Sequence, residues 1–407
     1  MLLLSEKIAL TLGFLDLLTV SVMIPHLAVN LKRRVSSPIF YGLFGTTYAV
    51  LQALSVFMIE HIVVFGQKAG VTLAFCLSGV VYFLFSLNQD VLLFFMARAV
   101  LGLVKHTQTA LKAYLVDNIP SNVDPQVLNR FNGISRMGFI AGPLLGMFIT
   151  RFDTACVAAA IVFVSCGLVA HLFLLDTRSA PQGVPTSRRP LTASLSSLTS
   201  TLTSRHTGFR SQPGSGFRAL RTVNWMSFWK MFGGQVLLSL AVGVYRSNLG
   251  YQLLEAYSVT TQQLASVTSL MGVVAVAADL IVTRTVSRHR THRNILLVGC
   301  TMALTGSLVL LSLSIRFRPT IIVLMLFQAS SSMAAALEFE AAANRDNMGG
   351  QTAMLQSASE RVMPLVYGLT PLINGVLQSV HIRLPALVGA VLASVACLTF
   401  LKKRKRL

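Results

Sequence analysis

The sequence predicts an all-α membrane protein of twelve transmembrane helices in two halves of six. Three observations support this fold class. Hydrophobic residues make up 54% of the 407 residues and charged residues only 12%, about half the charge content of an ordinary soluble domain. Twelve apolar runs have roughly the 20 residues that cross about 30 Å of hydrocarbon. One long polar segment divides these runs six from six.

The twelve runs follow one another with mostly short polar or Gly/Pro breaks, so neighbouring spans are expected to be antiparallel. The predicted spans are Ile8–Leu31, Phe40–Glu60, Val71–Leu87, Leu92–Val116, Phe131–Thr150, Ala155–Leu175, Asn224–Leu249, Gln262–Thr283, Ile295–Ile315, Thr320–Glu338, Met354–Val380 and Leu384–Leu401. The first run is longer than the apolar region of a signal peptide and has no small-residue cleavage site, so we expect it to remain as a span.

The polar segment divides the chain into four predicted regions. Residues 177–222 are rich in Ser, Thr, Pro, Gly and Arg and poor in large apolar residues, a composition that favours a disordered linker. This basic linker separates an N-terminal six-helix bundle, residues 1–176, from a C-terminal six-helix bundle, residues 223–401. Residues 402–407 form a basic tail.

The formal net charge of +20 is distributed unevenly along the chain. Most Lys and Arg residues lie in the even-numbered loops, the linker and the two ends of the chain. The positive-inside rule therefore places the linker and both termini in the cytosol. Lys32-Arg33-Arg34, which follows the first span, is an exception. Because the basic residues lie between apolar runs, nucleic-acid binding is not expected.

The tail leaves the choice of membrane open. Lys403 and Lys405 stand fifth and third from the C-terminus, as in a retrieval signal to the endoplasmic reticulum. The alternative is a basic patch beside the membrane that is attracted to anionic lipid.

The sequence lacks the motifs of an enzyme or a cofactor site. Its five cysteines lie inside apolar runs without paired spacing, so neither a disulfide framework nor a metal site is predicted. No Walker loop, catalytic carboxylate pair or Ser-His-Asp signature is present. We expect no cofactor and no catalytic residues, and any uphill transport must then draw on a gradient.

Charged residues inside apolar spans are the candidate functional residues, because each is costly to bury. Asp16 lies about 12 Å from the cytosolic end of the first span, close to the bilayer centre. We expect it to be the proton-coupling residue. The alternatives are a fixed ion pair or a partner for backbone groups freed by a kink at Pro25.

Basic residues of the fourth and fifth spans predict a cationic substrate cavity. Arg98, Lys105 and Lys112 recur at intervals of seven, which returns their side chains to nearly one helix face. His106 and Arg136 complete the expected lining of the cavity. This basic lining is expected to face a single acidic residue. For Arg98 the alternative is a side chain that extends its guanidinium group to the membrane surface.

The acids of the second half predict a cytosolic gate. Its expected members are Asp279, Glu338, Glu360 and Arg361. Salt bridges that form in one state and break in another fit alternating access. Ordinary solvated helix ends are the alternative.

Small residues recur every four positions along the fifth span, at Gly138, Gly142 and Gly146. Residues with small side chains let helices approach closely. Pro143 is expected to bend the span. This pattern predicts a helix-packing motif.

Three stretches carry motifs. They are the first span from Gly13 through Asp16 to Pro25, the fourth from Ala97-Arg98 through Gly102 to Asp117, and the glycine-proline motif of the fifth. Together they resemble the major facilitator superfamily, and more closely its tetracycline/proton-antiporter-like branch. The resemblance implies the major facilitator fold of two six-helix bundles and a role in transport.

The loop between the second and third spans departs from the family pattern. It keeps Gly66-Gln67-Lys68 but has Ile59 and Val63 in place of the first Gly and the Asp. This departure weakens one gating interaction and leaves open a facilitator that is only loosely coupled to protons.

The sequence thus predicts a secondary active transporter of a small organic solute, with protons as the candidate coupling ion and antiport as the candidate mode. A monomer in the lipid bilayer is sufficient for this function. The alternative is a non-transporting sensor or scaffold with a transporter fold. The basic cavity favours an anionic or zwitterionic solute and the branch resemblance a cationic or neutral one, so the charge class stays open.

Overall fold

The computed structural model of the protein describes residues 2–62, 67–87, 90–118, 126–175, 225–288, 293–343 and 351–401. These residues form fourteen helices and no strand. The helices are α1 (Leu2–Arg34), α2 (Pro38–Ile62), α3 (Gln67–Leu87), α4 (Val91–Val104), α5 (Thr107–Asn118), α6 (Gln126–Gly146), α7 (Phe152–Phe173), α8 (Trp225–Arg246), α9 (Leu249–Tyr257), α10 (Thr261–Arg288), α11 (Arg293–Leu313), α12 (Phe317–Ala343), α13 (Gln351–Val380) and α14 (Leu384–Leu401). The predicted linker, 177–222, and the tail, 402–407, lie outside the described residues.

Two of the membrane spans are each built from two helices. Only Lys105 and His106 separate α4 from α5, and only Ser247 and Asn248 separate α8 from α9. The described helices therefore make twelve spans, and the predicted all-α fold is confirmed. Within the described ranges, eight stretches are by themselves long and apolar enough to cross a membrane. The chain is an integral, multi-pass membrane protein.

The fourth span is not the continuous helix that the sequence predicted. Lys105 ends α4 with φ −75° and ψ 72°, outside the helical region, and α5 begins at Thr107. A break of this kind changes the rotational phase of the helix that follows, so a seven-residue interval no longer marks one face. The prediction that Arg98, Lys105 and Lys112 form one continuous basic stripe is therefore wrong.

The helices pack as two bundles with the same internal arrangement. In the first half α1 packs on α6 and α7, α2 on α4, and α3 on α7. In the second half α8 packs on α13 and α14, α10 on α12, and α11 on α14. Each half also has its own apolar core, the first between Ala9 and Leu174 and the second mainly between Leu238 and Ala396. The molecule is thus two structurally repeated six-span bundles.

The glycines of α6 face α1 in the first bundle. A methyl group at Gly138 would overlap the carbonyl of Phe14, and one at Gly142 would overlap Leu18 and Ser21. The Ser21 hydroxyl donates to the Gly138 carbonyl at 3.3 Å. Close backbone contact of this kind requires small residues on the facing helix.

The two halves meet through α2 on α13, α6 on α10, and α1 on α9 and α10. At the first contact Gly42 faces the backbone of Pro371, and Gly375 faces that of Pro38. We call the end where α1 begins and α7 ends the linker end, and the opposite end the distal end. The α2–α13 contact runs from the distal end towards the middle of the molecule.

Large apolar side chains cover the outer surface of both bundles. Phe148 is 84% exposed, Ile315 76% and Val380 74%. Such a surface would be unfavourable in water but is well solvated by lipid tails.

Candidate functional site

Asp16 lies in the interior of the first bundle, where α1 meets the break between α4 and α5. Its side chain is 1% exposed and forms an ion pair with Lys105. It also accepts hydrogen bonds from the Thr107 hydroxyl at 2.7 Å and from the Gln108 amide at 2.7 Å. Because both carboxylate oxygens have donors, the negative charge is well compensated.

The Lys105 ammonium group points into the wall of the bundle. It donates to the Thr107 hydroxyl at 3.0 Å and lies 4.1 Å from the centre of the Phe163 ring of α7. The Gln52 amide of α2 donates to the Lys105 carbonyl at 3.0 Å. Side chains thus satisfy the polar groups at the break, as a non-helical segment at membrane depth requires.

His106 is also buried within the first bundle. It is 7% exposed, and its Nε2 atom is hydrogen-bonded to the Ser55 hydroxyl of α2. The sequence predicted Lys105 and His106 as lining of the substrate cavity. The structure brings them together with Asp16, but it turns both side chains into the bundle rather than towards the other half.

Arg98 lies in an aromatic environment on α4. Its guanidinium carbon is 4.0 Å from the centre of the Tyr48 ring and 5.1 Å from that of Phe44. The charge also interacts electrostatically with Tyr41 and Tyr82. Its Nε atom is buried and has no hydrogen-bond partner among the described residues.

Arg136 joins the two halves on the linker side of the middle. Its Nη1 atom is 2.9 Å from Oδ2 of Asp279, so α6 of the first half and α10 of the second are linked by an ion pair. The two side chains are 31% and 26% exposed. A residue expected in the cavity and a residue expected in the gate are therefore direct partners.

A second ion pair joins the halves at the distal end. The Lys32 ammonium group of α1 lies 2.6 Å from the carboxylate of Glu255 on α9. Nearby, the Tyr251 hydroxyl donates to the Ser36 carbonyl at 3.0 Å, and its ring lies 5.1 Å from that of Tyr41. Sequence reasoning missed this contact because no periodicity relates Lys32 to Glu255.

Glu338 is separate from the pair that Asp279 forms. Its Oε1 atom is buried without a hydrogen-bond partner among the described residues. The charges of this carboxylate and of Arg246 on α8 both act on the Tyr367 hydroxyl of α13. The other two expected gate residues, Glu360 and Arg361, belong to α13, but their side chains lie outside the described part of the chain.

The part of the chain that the structure describes contains neither a candidate metal site nor a disulfide bond. No group of three His, Cys, Asp or Glu side chains there could hold a metal ion. All five cysteines are described, and all are free thiols.

A family model described as Major Facilitator Superfamily matches residues 8–376, most of the chain. The chain belongs to the Major Facilitator Superfamily. This membership agrees with two repeated six-span bundles and makes the chain a membrane transporter. No curated protein sequence matches it.

Solved structures of the same family are similar to the chain in fold. The crystal structure of the human organic anion transporter MFSD10 (TETRAN) is 15% identical, with a TM-score of 0.63 over 97% of this chain and 99% of that chain. The nucleoside transporter NupG is 12% identical, with a TM-score of 0.71 over 99% and 100% of the two chains. At such identities the likeness concerns the fold alone.

Proposed function

We propose that this superfamily member is a secondary active transporter that moves a small organic solute by alternating access. The observation that carries the proposal is the pair of ion bridges between the halves, Lys32–Glu255 at the distal end and Arg136–Asp279 towards the linker end. In alternating access the two halves rock about a central site, and each end opens only while the other is closed. Ion pairs that cross the interface on opposite sides of the middle are suited to this alternation between the two open states.

Protons are the proposed coupling ion, and Asp16 is the proposed carrier, with antiport as the proposed mode. Protonation of Asp16 would cancel the charge that holds Lys105 and would weaken the bonds between α1 and the start of α5. A buried ion pair that loses one charge leaves the other uncompensated, which is strongly unfavourable. The break between α4 and α5 would then rearrange in response to the proton.

The remaining details belong to the same proposal. We place both termini in the cytosol, take the monomer as the working unit, and keep the endoplasmic reticulum as a candidate membrane. Within the superfamily, the motifs of α1, α4 and α6 favour the tetracycline/proton-antiporter-like branch and a likeness to major facilitator superfamily domain-containing protein nine. The organic anions and nucleosides for which two structures of similar fold are named support a small organic molecule as the solute.

Proton-gradient-driven flux in proteoliposomes tests the proposal. Wild type, Asp16→Asn and a control, Asp153→Asn, would be compared across a panel of organic anions, cations and neutral solutes. Asp153 is an exposed carboxylate in the first turn of α7. We expect gradient-driven flux in wild type and in the control, and its loss in Asp16→Asn.

Three other outcomes contradict parts of the proposal. Flux that survives Asp16→Asn would make Asp16 structural. Flux that is independent of the gradient would indicate a uniporter. Solute binding without any flux would favour the alternative of a sensor or scaffold.

A further inference from the structure

Basic residues outnumber acids at the distal end of the molecule. The positive-inside rule places the excess of Lys and Arg on the cytosolic side of a membrane, whereas the distal end lies on the other side from the linker. The basic residues at this end are Lys32, Arg33, Arg34, Arg151, Arg316, Arg318 and Arg383, and the acids are Asp90, Asp153 and Glu255. Residues 88 and 89, outside the described ranges, are Asn and Gln and carry no charge.

Each of the three distal acids already has a structural role. Glu255 forms its ion pair with Lys32. Asp90 is the N-cap of α4 and accepts a hydrogen bond from the Leu92 amide at 3.0 Å. Asp153 lies in the first turn of α7, where a carboxylate stabilises the positive end of the helix. Asp90 and Asp153 both belong to the first half, so neither compensates the arginines of the second.

The distal arginines of the second half are Arg316, Arg318 and Arg383. Their side chains are exposed, and the three ion pairs of the described chain use other residues. Arg316 directly precedes α12, Arg318 lies in its first turn, and Arg383 directly precedes α14. A positive side chain at the N-terminal end of a helix opposes the helix dipole. Helix stability therefore does not account for these three charges.

The end of α11 and the beginning of α14 lie at the same level of the molecule. The two helices pack on each other, and the Leu308 side chain of α11 lies 3.4 Å from where a Cβ atom of Gly389 in α14 would be. From that contact, α11 continues to Leu313 and α14 reaches back to Leu384, an equal number of residues. Because both helices rise by the same amount per residue, these two ends are level.

The three arginines therefore belong to one corner of the molecule, which we call the α11–α14 corner and define as residues 313–318 and 380–384. Arg316 and Arg318 follow the end of α11, and Arg383 stands at the beginning of α14. Phe317, between the first two, packs inwards with its ring 5.8 Å from that of Tyr257. Its two neighbours are exposed instead.

The α11–α14 corner borders the lipid. Ile315 is 76% exposed, Val380 74% and Leu313 64%, and all three are large apolar side chains. Arginines that follow such residues in the chain lie where lipid tails meet headgroups, and their long side chains can extend to the phosphate level. A soluble anion would leave the apolar side chains uncovered, whereas a phospholipid covers both the apolar and the charged part of the corner.

We propose that the α11–α14 corner binds the headgroup of an anionic phospholipid in the leaflet at the distal end. Each guanidinium group offers a fork of donors that matches phosphate oxygens. Phosphatidylcholine is disfavoured, because its choline group would bring a further positive charge to three arginines. The inference goes beyond the proposed transport, since a sensor or scaffold of the same fold would bind the same lipid.

Fluorescence quenching by spin-labelled lipid tests the corner. In a full-length variant that lacks the five native cysteines, a fluorophore would be attached at Leu313→Cys. A matched variant would carry it at Phe148→Cys, which is 84% exposed at the same end but lies in the first half, near Arg151 and Asp153. Both would be placed in phosphatidylcholine nanodiscs that contain a small fraction of phosphatidylglycerol or phosphatidylcholine with a nitroxide near the headgroup.

We expect labelled phosphatidylglycerol to quench the fluorophore at position 313 at least about twofold more than labelled phosphatidylcholine, since one basic residue near an anionic surface changes lipid affinity by about fivefold. The difference between the two lipids should be smaller at position 148, where acids accompany the arginine. Because both positions lie at the distal end, the basic linker and tail cannot produce this contrast.

Substitutions identify the residues that bind the lipid. Combined Arg316→Gln, Arg318→Gln and Arg383→Gln should reduce the lipid preference at position 313 to that at position 148, and each single variant should lose part of it. The three corresponding Lys substitutions keep the charge and should retain most of the preference. Arg151→Gln, at the exposed N-cap of α7, is the control and should leave quenching at position 313 unchanged.

Four results overturn the inference. They are equal quenching by the two lipids at position 313, equal lipid preference at positions 313 and 148, and a preference that survives the triple Gln substitution. The fourth is binding of heparin that the triple Gln variant loses, without any preference for phosphatidylglycerol. That result would assign the corner to a soluble polyanion instead of a lipid.

Discussion

Asp16 and Lys105 form a pair in which each side chain compensates a charge that the interior of the bundle cannot solvate. Asp16 is 1% and Lys105 7% exposed, and Thr107 and Gln108 complete the coordination of the carboxylate. Glu338 is a contrasting acid, since its buried oxygen has no partner among the described residues. Removing the charge of Asp16 and removing that of Glu338 should therefore have different effects on the stability of the protein.

Asp16→Asn is expected to destabilise the protein by about 3 to 5 kcal/mol, the cost of leaving one member of a buried pair without the other. Asp16→Asn combined with Lys105→Met should recover much of this loss, because both charges are then removed. Thermal unfolding in detergent measures both variants. A double variant no more stable than the single one would show that the pair is not the source of the effect.

Glu338→Gln is expected to leave the unfolding temperature unchanged or to raise it. The substitution removes a poorly compensated charge and breaks no hydrogen bond at Oε1. The same thermal measurement applies. A marked fall in unfolding temperature would mean that the carboxylate has a stabilising partner.

At the scale of the element, the contact between α1 and α6 depends on glycines whose backbone touches the facing helix. Gly142 lies against Leu18 and Ser21, whereas Gly133 on the same helix has no atom within 4 Å of its missing Cβ. Gly142 and Gly133, two of the four glycines of α6, therefore make a matched comparison. One is constrained by packing and the other only by helix propensity.

Gly142→Ala is expected to lower the free energy of unfolding by about 1 to 3 kcal/mol, the usual cost of overpacking. Gly133→Ala should instead be neutral or stabilising by up to about 1 kcal/mol, since alanine is the better helix former. Thermal unfolding compares the two. Equal effects at both positions would contradict close packing of α1 on α6.

The break between α4 and α5 shows where sequence reasoning stops at this scale. Hydropathy predicted the fourth span because most of Leu92–Val116 is apolar, yet neither Gly nor Pro marks the break. The signal that was available is five consecutive polar residues, Lys105 to Thr109, inside an apolar run. Asp16 and Lys105 were predicted as candidates, whereas Thr107 and Gln108, which complete the site, were missed.

At the scale of the whole molecule, the spans were predictable and the contacts between the halves were not. A helix that crosses the bilayer needs a minimum number of consecutive apolar residues, and this number can be counted in the sequence. The partnership of Arg136 with Asp279 depends on how two bundles meet, which no local pattern records. Lys32, an exception to the charge rule, likewise makes sense only beside Glu255.

The two ion pairs between the halves should bias the molecule in opposite directions. Both are partly exposed, so each contributes only about 0 to 1 kcal/mol, which is sufficient to shift a balanced equilibrium by a few-fold. Lys32→Gln weakens the distal closure and favours the distally open state. Arg136→Gln weakens the opposite contact and favours the state open at the linker end.

The reactivity of a single cysteine at the distal interface tests alternating access most directly. Ala28, 6% exposed and packed on Gly250, would be changed to Cys in a variant lacking the five native cysteines and labelled with a membrane-impermeant maleimide. We predict faster labelling with Lys32→Gln, slower labelling with Arg136→Gln, and no change with the control Arg151→Gln. Labelling that changes in the same direction for both ion pairs, or for neither, would contradict reciprocal opening of the two ends.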